Sequence, residues 1–186
     1  MRIISGSLKG RTINFLKNSK TRPLKDSVRE SIFNVLKHSN LINAVIDNSS
    51  ILDLYSGVGS FGIECISRGA KKVTFIEHDI KAINILKKNL LSLSVVNKSK
   101  THLSKIEHFL AKEVNEKFHI FFFDPPYKDF NFSQNLEMIK KNKIFEKNHI
   151  VIIHRDEKSK DELNSFLEVI ETKKYGRSKI IFGVFN

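Results

Sequence analysis

The chain is poor in several things, and each shortage excludes something. Cysteine occurs once, as Cys65, which rules out an internal disulfide and a cysteine-rich zinc site. The seven histidines show no metal-ligand spacing, so no metal is expected. Tryptophan is absent, and there are only three prolines, two of them adjacent at Pro125 and Pro126. No apolar run approaches the roughly 18 residues of a membrane span. The start, Met1-Arg2-Ile3-Ile4-Ser5-Gly6-Ser7, is too short and too polar for a signal peptide, so a cytoplasmic protein with no membrane partner is expected. Acidic residues are also scarce: 20 Asp and Glu stand against 32 Lys and Arg, a net charge of +12.

That imbalance favours a polyanionic partner, bound through phosphate contacts and counterion release. Much of the charge is lysine, and a general drift toward Lys, Asn and Ile raises it without any binding purpose. Its distribution is more telling. Residues 1–40 hold nine basic and two acidic side chains, hence +7. With 186 residues, 40% of them hydrophobic, the chain can bury one substantial core and carry a small appendage.

Arg2-Ile3-Ile4-Ser5 and Arg11-Thr12-Ile13-Asn14-Phe15 flank Gly6 and Gly10 and predict a hairpin. A basic linker, residues 17–25, follows. Asp26 or Ser27 is placed to cap a helix running to about Lys37. Beyond it, strand-like and helix-like segments alternate. Strands are expected at 51–55, 72–77, 118–123 and 149–154, and an edge strand is entered from 93–98. Helices are expected at 60–67, along the stripe Ile80, Ile83, Leu86, Leu90, Leu93, around 103–110, at 134–141 and at 158–166. Alternation implies an α/β sheet with helices on both faces. Two successive strands at 169–172 and 179–185, joined through Tyr175-Gly176-Arg177, break it and predict an antiparallel edge strand.

Chemistry gathers at two places. The apolar run Ile120-Phe121-Phe122-Phe123 stops at Asp124-Pro125-Pro126-Tyr127, a rigid polar and aromatic corner at the end of a buried strand. Such a corner suits a flat heterocycle bearing an amino group. The lone pair of such an amine is delocalised, so the nitrogen must be held in line with an electrophilic carbon. Asp124 and the Pro125 carbonyl can each accept one N–H, preorganised by the prolines. Tyr127 can stack on the ring. Taken singly, each residue has a bland reading as a strand end, a turn cap or a surface aromatic. Together, at the ligand end of a parallel sheet, they favour a site.

The second place is Asp53-Leu54-Tyr55-Ser56-Gly57-Val58-Gly59-Ser60-Phe61-Gly62, between a strand and a helix. Gly57 and Gly59 permit a close ligand approach, and Gly62 allows tight helix–strand packing. Glu77 ends the next strand, twenty residues after Gly57, where an acid can accept ribose hydroxyls. A dinucleotide would put its pyrophosphate at the helix N-terminus. S-adenosylmethionine has no phosphate but carries an amino group that Asp53 can neutralise, which favours it. No Gly-Lys-Ser or Gly-Lys-Thr follows, so a P-loop is excluded.

Over nearly its whole length the chain resembles the bacterial family that methylates the N2 amine of one guanine, guanine 966, in small-subunit ribosomal RNA. Arg2–Gly6 with Gly10-Arg11, Arg22-Pro23-Leu24-Lys25-Asp26-Ser27-Val28-Arg29-Glu30-Ser31-Ile32-Phe33-Asn34, Leu52–Glu64 with Ser67-Arg68-Gly69-Ala70, Asp124–Tyr127 and Tyr175-Gly176-Arg177 carry the likeness. The Arg22–Asn34 segment is the most specific of these, since the tetrapeptide is shared with adenine methyltransferases. The resemblance implies a Rossmann-like class I methyltransferase with a mostly parallel seven-stranded sheet. Residues 1–25 would be a basic RNA-binding hairpin and linker, and 26–186 the S-adenosylmethionine-dependent domain. Asp53, Tyr55, Gly57, Gly59, Glu77 and His78 would bind the cofactor. Ser104 would do so as well, since it falls where the family tends to place an Asp or Asn near adenine. Asp124, Pro125 and Tyr127 would form the catalytic pocket. Arg2, Lys9, Arg11, Arg22, Lys25, Arg29 and Arg177 would hold 16S rRNA within a partly assembled 30S subunit, and the protein would act as a monomer. The rival readings are an adenine-N6 methyltransferase and a nonenzymatic RNA-binding assembly factor. His154 follows a strand and has two readings, a residue lining the site and, favoured, an ordinary strand-end residue; Cys65 reads as a small core residue.

Overall fold

The computed structural model describes residues 1–16, 24–126, 129 and 132–186. Helix α1 (Asp26–His38) leads into β1 (Ser50–Leu54), α2 (Ser60–Ser67), β2 (Lys72–Glu77), α3 (Ile80–Ser92) and β3 (Ser99–Leu103). Then come α4 (Ile106–Leu110), β4 (Phe118–Phe123), α5 (Phe132–Asn142), β5 (Phe145–Asp156), β6 (Leu167–Tyr175) and β7 (Ser178–Phe185). The seven strands form one sheet in the order β3-β2-β1-β4-β5-β7-β6. β3, β2, β1, β4 and β5 run parallel, and β7 is antiparallel to both β5 and β6. The class I methyltransferase sheet is therefore present, with its reversed strand one position in from the edge rather than at the edge itself.

The central strands carry buried apolar runs, such as 120–123 and 150–153, because both of their faces are covered. Phe121 and Phe123 of β4 pack with α4 and α5 on one side of the sheet. Ile120 and Phe122 pack with α1, α2 and α3 on the other. On that second side the rings of Phe33, Phe61 and Phe122 stack at 5.2 and 4.0 Å, tying α1 through α2 to the middle of the sheet.

The N-terminal hairpin exists but is minimal. A single antiparallel bridge joins Arg2 to Thr12, and the segment is fastened from below. Ile3 and Ile13 are buried in the main core. The N–H groups of Ile4 and Ser5 donate to the buried Glu64 carboxylate of α2 at 2.8 and 2.9 Å. Gly6 has φ +83, and a Cβ there would meet the Ser67 carbonyl oxygen at 1.8 Å, so only glycine lets the turn lie this close to α2.

Three expectations need correction. Neither Asp26 nor Ser27 caps α1. Lys25 is the N-cap and makes no side-chain cap, while Asp26 lies in the first turn and its carboxylate takes Arg29 at 3.0 Å. Residues 93–98 end in a short 3-10 turn (Val96–Lys98), and the edge strand starts only at Ser99. None of its residues, Ser-Lys-Thr-His-Leu, is buried, so it has no apolar alternation to betray it. Residues 158–166 form irregular chain and turns, not a helix. The periodic Leu163 is buried there, but Asp161 is turned inward onto Arg155 and Lys179, and those ion pairs set the local path.

Candidate active site

Alternation along a strand puts residues two apart on one face. On the α1–α3 side this gives three apolar columns: Ile120 and Phe122, Ile150 and Ile152, Phe182 and Ile180. Each column ends in a polar residue, Asp124, His154 and Ser178 respectively. The pairing of Leu54 with Phe123, and of Phe123 with Ile153, sets Asp124 between Tyr55 and His154. The three polar side chains join. His154 Nδ1 lies 2.7 Å from Asp124 Oδ1, and His154 Nε2 lies 2.9 Å from Ser178 Oγ. The Asp124 side chain is 25% exposed and that of His154 9%.

The proline corner is anchored behind this row. Pro125 is buried and Pro126 exposed. The Pro126 carbonyl accepts from the Asp129 N–H at 2.8 Å and from Arg155 Nη1 at 3.3 Å. Arg155 is itself buried, held by Asp161 at 3.0 Å and lying 4.6 Å over the Phe132 ring. Tyr127 and Arg22 lie outside the described residues.

Beside the corner is a cleft of about 240 Å³ lined by Tyr55, Ile76, Glu77, His78, Ser104 and Ile106, with Asp129 and Asn135 next to Tyr55. Four of the seven residues expected at the cofactor therefore meet in one cavity. Glu77 organises it. One carboxylate oxygen accepts the N–H groups of His78 and Asp79, each at 2.8 Å, and the other accepts that of Gly57 at 2.7 Å. A carboxylate has about four acceptor positions, so one remains for a ligand hydroxyl. Ser104 N–H donates to the Glu77 carbonyl. Its hydroxyl donates to the Lys105 carbonyl at 2.9 Å, which leaves the oxygen free to accept. Tyr55 has φ +61 and donates its phenol to Asp129 at 2.9 Å. Burial and that carboxylate push its pKa upward, so it stays a donor.

The glycine loop works mainly by steric economy. Gly59 is the N-cap of α2 in the left-handed region, and a Cβ would meet Leu86 Cδ1 at 2.4 Å. At Gly62 a Cβ would meet the Phe75 ring at 2.3 Å, the tight helix–strand contact expected of it. Asp53 is a correction. It is not part of the cleft wall; it is buried under α2 and accepts the Gly62 N–H at 3.0 Å. Burial pushes its carboxyl well above the usual carboxylate range, with Asp124 and Glu77 adding to the rise.

Of the residues expected at RNA, Arg2, Lys9, Arg11, Lys25 and Arg177 are exposed. Arg29 is a second correction: it is 0% exposed. Its guanidinium serves the Met1 sulfur, the Arg2 carbonyl and Asp26, so it fastens the hairpin and offers nothing to a partner. Three residues of the site escaped the sequence reading in their roles: His154, Arg155 and Ser178. The available signal was parity, since His154 shares the face of Ile150 and Ile152 at the strand end nearest Asp124.

The family described as conserved hypothetical protein 95 matches residues 1–184. Ribosomal RNA small subunit methyltransferase D of Buchnera aphidicola (subsp. Acyrthosiphon pisum) is 35% identical over 156 residues, covering 84% of this chain and 78% of the relative. The protein of that name from Haemophilus influenzae is 34% identical, over 84% of this chain and 79% of its own length. The solved structure of yhhF from Escherichia coli superposes with a TM-score of 0.85 at 26% identity, covering 100% of this chain and 98% of the other.

Proposed function

The chain belongs to the bacterial 16S ribosomal RNA (guanine-N2) methyltransferase family, and on that footing we propose that it methylates the exocyclic N2 amine of one guanine, of the guanine-966 type, in 16S rRNA. The methyl donor is S-adenosylmethionine. The observation that carries the reading is that β1 and β4 end side by side, Leu54 paired with Phe123, so that the amine-binding carboxylate of Asp124 and the cleft residue Tyr55 follow directly on neighbouring strand ends.

The cleft suits this donor by the chemistry of its walls. The remaining acceptor position of Glu77 takes a ribose hydroxyl, and the Ser104 oxygen takes the adenine amino group. Ile76 and Ile106 supply apolar faces to the ring, while the exposed His78, its Nδ1 3.3 Å from Glu77 Oε1, stands at the rim. When bound, the cofactor supplies an electrophilic methyl group on a sulfonium. Everything else is the work of the chain. Asp124 accepts one N–H of the guanine amine and turns the nitrogen toward the methyl carbon. The Pro125 carbonyl accepts the second N–H, and Tyr127 stacks on the base. As the amine gains positive charge, the negative charge of Asp124 stabilises it, and the carboxylate can take the departing proton. Asp53 contributes from beneath by fixing the first turn of α2.

Arg2, Lys9, Arg11, Lys25 and Arg177 hold RNA phosphates, with Arg22 on the same basic segment. Residues 1–25 are the RNA-binding appendage, and because the hairpin is fastened to α2 it presents its charges from a rigid base. We place the enzyme in the cytoplasm as a monomer acting on a partly assembled 30S subunit. Among the described residues, no helix is long and apolar enough to cross a membrane.

The test supplies labelled S-adenosylmethionine with undermodified 30S particles, free 16S rRNA and DNA, followed by nucleoside analysis. N2-methylguanine from 30S particles is expected. Methyladenine would transfer the chain to the adenine enzymes, and no product from a substrate that binds would favour an assembly factor.

A further inference from the structure

We propose that His154 is a positioning residue: it fixes the plane of the Asp124 carboxylate so that one oxygen is always presented to the acceptor amine. The proposal rests on the reading of Asp124 given above.

The need for such a residue comes from the side chain itself. The terminal torsion of an aspartate is broad and roughly two-fold, with no strong preference of its own. Asp124 stands one residue past the end of β4, and its side chain is 25% exposed, so packing alone does not lock it. An acceptor that must point along one N–H loses its advantage when it rotates freely. Misplacement of about 1 Å costs up to roughly 10²-fold in rate.

His154 supplies the lock. A carboxylate only accepts, so Nδ1 at 2.7 Å from Oδ1 carries the proton and donates. This holds for both the neutral and the charged ring. Oδ1 is thereby committed, and Oδ2 is the oxygen left for the base. The ring is held in its turn. Nε2 lies 2.9 Å from Ser178 Oγ, and the hydroxyl donates to it or accepts from it according to the ring's protonation. His154 sits in β5 and Ser178 at the start of β7, paired antiparallel so that Asp156 faces Ser178 and His154 faces Ile180. Both residues are buried. The lock is therefore built from two sheet strands, not from a loop, which is the arrangement that holds a functional group most tightly.

Three variants and one spectrum test this. His154→Ala should lower kcat on 30S particles by about ten- to a hundredfold, with the KM for RNA and the affinity for S-adenosylmethionine within threefold of wild type. His154→Asn, whose amide can put an N–H near the position of Nδ1, should recover most of that loss. In an Asp124→Asn background, His154→Ala should cost little further. In the protein without cofactor or RNA, the imidazole ¹⁵N signal of His154 should move on Asp124→Ala and stay in place on Glu77→Gln. Wild-type kcat in His154→Ala would overturn the proposal. Equal losses in the Ala and Asn variants, matched by equal falls in thermal midpoint, would overturn it too, since they mark a purely structural role. Absence of any methyl transfer by the wild-type protein would refute the underlying function instead, and the ¹⁵N comparison would still decide whether His154 holds Asp124.

Discussion

Glu77 ends β2 and Asp124 directly follows β4 in the same sheet, and they are held in opposite ways. Glu77 is gripped by main-chain N–H groups of Gly57, His78 and Asp79. Asp124 is gripped by an imidazole from β5, itself braced by a hydroxyl from β7. The cofactor half of the site thus draws on main-chain groups, two from the residues directly after Glu77 and one from the glycine loop twenty residues before it. The acceptor half draws on side chains brought together only by the sheet. Backbone anchors survive most substitutions, because every residue but proline carries an N–H. Side-chain anchors do not, so the acceptor half is where single changes should act most strongly on rate.

The largest effect is expected at Asp124. Asp124→Ala removes the acceptor and the negative charge together, and kcat should fall by about 10²–10⁴-fold, the span usual for a positioned acid–base group. Binding of S-adenosylmethionine, measured by calorimetry, should change less than threefold. A parallel loss of cofactor affinity would erase the division between the two halves.

That division also marks what could be read from the sequence. The glycine loop, Glu77 and the Asp124 corner are local patterns in which spacing and residue type already state the geometry, and four of the expected cofactor residues share one cleft. The central strands were legible because burial on both faces leaves apolar runs such as 120–123. β3 was not, because an exposed edge strand has no such constraint. The partnership of Asp124 with His154 and Ser178 spans 30 and 24 residues, and no pattern along the chain announces it. Arg29 misled for a related reason. An arginine in a basic segment looks like a phosphate ligand, yet the helical period turns this one inward beside Val28, Ile32 and Phe33, where it meets the hairpin.

The second effect falls on the backbone-held carboxylate. Glu77→Gln keeps one acceptor but sets an NH₂ against a main-chain N–H. A hydrogen bond to a charged group contributes about 1.5–3 kcal/mol, so the dissociation constant for S-adenosylmethionine should rise about ten- to a hundredfold. The kcat at saturating cofactor should stay within about threefold of wild type. A fall in kcat with unchanged affinity would place Glu77 with Asp124 rather than opposite it.

The smallest effect concerns stability and sharpens the contrast within the cofactor half. Asp53 is also held by a backbone N–H, from Gly62, but burial outweighs that bond and its carboxyl titrates well above the usual range. The sign follows from linkage. Below the unfolded-state value of about 3.9, both states are protonated and nothing is lost. As pH rises from there to the raised folded value, the unfolded chain gives up the proton more readily, and stability declines across that window before levelling off. Asparagine resembles the protonated acid at every pH and can still accept from Gly62. Asp53→Asn should therefore match the wild-type thermal midpoint near pH 4 and exceed it at pH 8. A gain of about 2–4 °C is expected, the shift that 1 kcal/mol makes in a chain of this size. If the variant is less stable at every pH, the charged form of the Gly62 bond outweighs burial, and Asp53 joins Glu77 as an anion that the backbone holds at no net cost.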